Sequence, residues 1–107
     1  MIEILQGSAL PIAIDLVDED TGDPITGDDV SNVELVIGNI RKTMTSGGIT
    51  YDTEQKSWVF NLSQEETFSM SPTIYEPQCR IVLAGGRIPG AILGKVRIIE
   101  GRSKEVL

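Results

Sequence analysis

Few side chains in this chain have the types and spacing for chemistry. The densest group is Asp18-Glu19-Asp20-Thr21-Gly22-Asp23. Carboxylates crowded on a tight loop can supply hard oxygen ligands to calcium. An EF-hand loop wants acids at positions 1, 3 and 5 and Gly at 6. Counted from Asp18, Gly22 falls at position 5 and Asp23 at 6, and Asp29 stands at 12. The match is poor, so a plain hairpin turn is the expectation, with Asp18, Asp20 and Asp23 the weak candidates for metal ligation. Glu65 and Glu66 form a second acidic pair. Ser63-Gln64-Glu65-Glu66 fits the S-x-x-E capping box, which puts both acids at a helix start, where the dipole favours negative charge. Cys79 lies in phase with Ile81 and Leu83 on an apolar strand face, so it reads as a buried, inert thiol. Gly85-Gly86-Arg87 and Gly90 lack the following helix and the Lys of a phosphate loop. They read as hairpin and bulge glycines.

The residue inventory narrows the chemistry further. The chain has 107 residues with no His and one Cys. Imidazole acid–base chemistry, His ligation and a Cys-rich zinc site are excluded. An intrachain disulfide is excluded too. No catalytic residue and no cofactor is expected, and the chain does not read as an enzyme.

The elements that must position these residues announce themselves by alternation. Ile12, Ile14 and Leu16 fall on one face of a strand. Val33, Leu35 and Ile37 repeat the pattern, as do Trp58, Phe60 and Leu62, then Cys79, Ile81 and Leu83. Val96 and Ile98 close the series, with Ile92 preceding them in phase. Period-two alternation marks half-buried antiparallel strands. Ile2 to Leu5 and Ile49 to Asp52 read as further strands. Turn chemistry separates them: Asp20 to Pro24, Ser46-Gly47-Gly48, Thr53 to Lys56 as a hairpin, and Gly85-Gly86 as a hairpin into the final strand. One short helical turn follows Ser63 and stops at Ser71-Pro72. The expectation is an all-β, Ig-like antiparallel β-sandwich of about 6–8 strands with one helical turn, forming a single domain over residues 1–107. Trp58 is its natural core anchor, and its indole N–H needs a partner once buried.

Charge is unevenly placed. Residues 1–40 carry nine acids and no Lys or Arg. The remainder carries seven acids and nine bases, for a net charge of −7. An acidic chain lacks the basic footprint that nucleic acid or an anionic membrane surface requires. Neither is expected as a partner. The acidic run reads as a solvated loop, or as half of an electrostatic contact with a basic partner. The mildly basic remainder makes head-to-tail self-association an option. No signal peptide or transmembrane segment is legible, so cytoplasmic synthesis is the expectation. Val36, Val82 and Ile99 fall on faces opposite the proposed core and are candidate interface residues. Val106 and Leu107 join them as the apolar end of a tail that either frays or docks on a neighbour.

Taken in order, several segments resemble a class of small β domains found among the structural proteins of tailed phages and prophages. They are Ile4-Leu5-Gln6-Gly7-Ser8-Ala9 with Pro11 to Leu16, the Asp18–Ile25 turn, and Asp28 to Ile37. Leu62-Ser63-Gln64-Glu65-Glu66-Thr67, Gln78 to Leu83 and Gly94 to Ile99 complete the set. The chain is similar to the N-terminal domain of upper-baseplate and tail-tip proteins. That resemblance implies an Ig-like sandwich acting as an assembly module in a virion or phage-like particle, in contact with other phage structural proteins or with itself. Its length implies a stand-alone adaptor or decoration subunit. A calcium- or carbohydrate-binding sandwich is the alternative.

Overall fold

The computed structural model describes every residue except Glu19. The fold is all-β. In chain order the strands are Ile2–Leu5 (β1), Leu10–Ile14 (β2), Val30–Ile37 (β3), Ile40–Thr43 (β4) and Ile49–Asp52 (β5). Ser57–Leu62 (β6), Ile74–Tyr75 (β7), Gln78–Leu83 (β8), Gly90–Ile92 (β9) and Val96–Ile99 (β10) follow, with a 3-10 turn at Gly27–Asp29 before β3 and an α-helix, Gln64–Ser69 (α1), after β6. They form three sheets, ordered β1-β10-β7, β2-β6-β5 and β4-β3-β8-β9.

The alternating residues supply the core. Val33, Leu35, Ile37, Trp58, Phe60, Leu62, Cys79, Ile81, Val96 and Ile98 are all buried in one hydrophobic cluster with Ile4, Ile12, Leu16, Ile25, Ile49 and Met70. The cluster joins side chains from all three sheets. Trp58 is fully buried, and its indole Nε1–H donates to the Ile25 carbonyl at 2.9 Å. That bond ties the β6 core to the segment after the acidic turn. The capping box forms as its residues require: the Glu66 amide donates to Ser63 Oγ at 3.1 Å and the Ser63 amide to Glu66 Oε1 at 2.9 Å. The β5–β6 hairpin turns at residues 53–56, with the Asp52 carboxylate accepting from the amides of Glu54 and Gln55.

Three expectations change. Among the described residues there are ten short strands instead of six to eight, because two- to four-residue segments such as β7 and β9 pair where alternation is too brief to read. The pairing is not wholly antiparallel: β1 runs parallel to β10, with Ile2 beside Val96 and Leu5 beside Ile99. The Gly85-Gly86 hairpin does not lead into the final strand. It folds β8 back on β9, aligning Gln78 with Ile92 and Arg80 with Gly90, while β10 joins a different sheet. Gly86 sits at φ +89°, the left-handed conformation such a turn demands, and its amide donates to the Leu83 carbonyl. Ile92 is therefore not a core residue; it is 68% exposed.

Candidate protein interaction surface

The acidic segment is organised by its own backbone. The Gly22 amide donates to the Asp18 carbonyl at 2.7 Å and the Asp18 amide to the Asp23 carbonyl at 2.9 Å. The Asp18 carboxylate accepts from the Asp20 amide, and the Thr21 hydroxyl accepts from the Asp23 amide. These are turn-forming contacts of short polar side chains. Across from them lies Arg87, its guanidinium 3.6 Å from Asp20 and 4.0 Å from Asp18. Sequence reading did not link Arg87 to this loop, because the contact depends on the β8–β9 turn. Among the described residues no three acidic side chains converge to hold a metal; Glu19, the remaining acid of the calcium reading, lies outside the described residues.

Cys79 is buried between Leu35 and Ala91 in the sheet register. Burial, reinforced by the charge of Glu34, pushes its thiol up to about 11. It stays protonated at neutral pH, which suits a core side chain and not a nucleophile. Glu65 is exposed in the first turn of α1. Glu66 is committed twice, to the cap and to Lys42 Nζ at 2.8 Å on β4. Burial opposes its charge, but the Lys42 ammonium and the Ser63 amide outweigh it, and its carboxyl is held below the ordinary range.

The candidate interface residues separate into three places. Val36 and Val82 are half-buried on the outer face of the β4-β3-β8-β9 sheet. Between them on that face stands Glu34, paired with Arg41 and with Arg80 at 2.6 Å. The two valines do not form one patch. Ile99 lies on the outer face of the β1-β10-β7 sheet. There it meets Leu5 in register, and the next row across the sheet runs Glu3, Arg97, Ile74. Leu5, Ile74 and Ile99 are 52%, 44% and 38% exposed, so this face combines aliphatic surface with one opposite-charge pair of neighbours. Leu5 and Ile74 were not singled out from sequence: Ile4 and Leu5 are adjacent and give no phase, and a two-residue strand has no alternation. Val106 and Leu107 are exposed on the tail. The tail nevertheless contacts its own chain, with Lys104 Nζ donating to Gln6 Oε1 at 3.1 Å and the Leu107 amide to Gln64 Oε1 at 3.0 Å.

A cleft of about 370 Å³ opens elsewhere, between the acidic segment and β9. Leu16, Ile25, Ile81, Leu83 and Leu93 give it apolar walls, and Asp15, Asp18, Asp20 and Arg87 a charged rim. No helix of the described residues is long and apolar enough to cross a membrane. No family model, curated protein or solved structure matches the chain.

Proposed function

We propose that this chain is a non-enzymatic assembly module that works through protein–protein contacts, as a baseplate, tail or adaptor subunit of a phage or prophage particle. The ordered resemblance of its segments to tailed-phage β domains suggests the setting. The observation that carries the assembly reading is the outer face of the β1-β10-β7 sheet, where Leu5, Ile74 and Ile99 are exposed around Arg97. β-branched and aliphatic side chains on a pleated face are costly to leave in water, and grouped ones mark interaction sites. An interface centred there needs roughly 1,000 Å² or more of total buried surface to be stable. The polar neighbours Glu3 and Arg97 would fix its orientation more than its strength.

The test places charge on that face. Leu5→Lys and Ile99→Lys leave the buried Ile4 and Ile98 untouched. Light scattering of wild type should give a multiple of the 11.6 kDa chain mass, and the double variant should give a smaller species with an unchanged circular dichroism spectrum. A multimer whose mass both substitutions leave unchanged would remove this face from the account.

A further inference from the structure

Edge strands expose unpaired backbone groups, and proteins blunt them with charge, proline or a covering element. Among the described residues, strand β9 has none of these on its outer edge. Residues 84–92 are all exposed, and β9 is the last strand of its sheet. No charged residue lies between Arg87 and Lys95. Pro89 faces the wrong way to help. Its carbonyl accepts from the Ile81 amide, so its missing N–H belongs to the β8 side. Leu83 and Arg87 are joined in the same manner, and the Leu93 amide donates to the Pro77 carbonyl. By antiparallel alternation, the N–H and C=O groups of Ile88, Gly90 and Ile92 point outward. No turn, loop or side-chain hydrogen bond involves them among the described residues.

The cleft lies beside this edge. Pro89, Ala91 and Leu93 line one wall, and Leu16, Val17 and Ile25 line the other. A strand added to β9 would satisfy the outward groups and send every second side chain into the cleft. Main-chain bonds then supply affinity and the cleft supplies specificity. The rim states the specificity: Asp15, Asp18 and Asp20 outnumber Arg87, and Asp18 and Asp20 stand at the Arg87 end. The occupant should carry cations at that end and an aliphatic side chain at the other.

The chain contains such a segment. In extended form, Arg102, Lys104 and Val106 share one face, and the stretch matches the span from Ile88 to Ile92, about 13 Å in either case. Residues 102–107 are exposed and outside any sheet. Two tail contacts, Lys104 to Gln6 and Leu107 to Gln64, would have to open, while buried Gly101 stays anchored. We infer that residues 102–106 of a second copy add as a parallel strand to the outer edge of β9, with Arg102 and Lys104 at the acidic rim and Val106 in the apolar cleft. This deepens the assembly reading and rests on its self-association component.

The test uses the outward amide of Gly90. Gly90→Pro removes that donor and blocks the edge while sparing the β8 ladder, and a Cβ there meets nothing closer than 3.7 Å. Gly90→Ala keeps the donor and serves as control. Val106→Asp, on the exposed tail, tests the other partner without touching the fold. Light scattering should show wild type and Gly90→Ala as multimers, and Gly90→Pro and Val106→Asp reduced to smaller species. A wild-type multimer whose mass neither variant changes would overturn strand addition and leave the assembly reading standing. A wild type that is monomeric at every concentration would overturn both.

Discussion

The Gly101 amide donates to Gln6 Oε1 at 3.0 Å, closing a contact across 95 positions of sequence. Gln6 is buried and also donates from Nε2 to the Met70 carbonyl at 2.8 Å, so one amide side chain joins β1, the end of α1 and the start of the tail. The backbone continues the link, with the Gln6 amide donating to the Ile99 carbonyl at 2.9 Å. Gly101 has no room for a side chain: a Cβ there would stand 2.8 Å from the Gln6 carbonyl oxygen.

Two substitutions should therefore destabilise the protein by different routes. Gln6→Leu strands the buried Met70 carbonyl and Gly101 amide, at about 1–3 kcal/mol. Gly101→Ala forces backbone apart, at about 1–3 kcal/mol. Urea denaturation followed through the emission of Trp58 measures both. Wild-type stability in either variant would mean that the tail does not hold this position in solution.

Glu34 makes the acid limb of stability testable. Hydrogen bonds from Arg41 and then Arg80 hold its carboxyl below the ordinary value of 4.5. A lowered folded-state value means the contribution is complete above about pH 4.5 and is lost as pH falls through the folded value. Glu34→Gln should be less stable than wild type at pH 7, and the gap should narrow as pH falls from 4.5 toward 3. A constant gap across that range would place the effect in packing instead of charge.

Cys79 gives a probe of core integrity. With the thiol 1% exposed and raised to about 11, a disulfide reagent at pH 8 should label it only at the rate of opening. Labelling should become immediate in denaturant. Complete reaction of the native protein within seconds would show that β8 is not packed as described.

Local signals were legible in the sequence wherever one element explains itself. The alternation at Val33, Leu35 and Ile37 and at Trp58, Phe60 and Leu62 identified buried faces directly, and Ser63 with Glu66 identified the cap. Partner choice was not legible. Ile92 shares parity with Val96 and Ile98, so alternation joined them into one strand, while the break at Leu93-Gly94 sends them to different sheets. The parallel pairing of β1 with β10 rests on contacts between opposite ends of the chain, which no local pattern encodes. Ile99 could be placed on an outer face from parity alone, but its neighbours Leu5 and Ile74 depend on register. The meeting of Arg87 with Asp18 and Asp20 required knowing that β8 folds back on β9.

The central claim is that this domain acts by associating with protein, beginning with its own copies. Light scattering of the wild-type chain across concentration, at low and high salt, tests it most directly. The account predicts a discrete multimer that weakens at high salt, because the acidic rim and the Arg102–Lys104 segment are screened. A single-chain mass at all concentrations and both salts would contradict it.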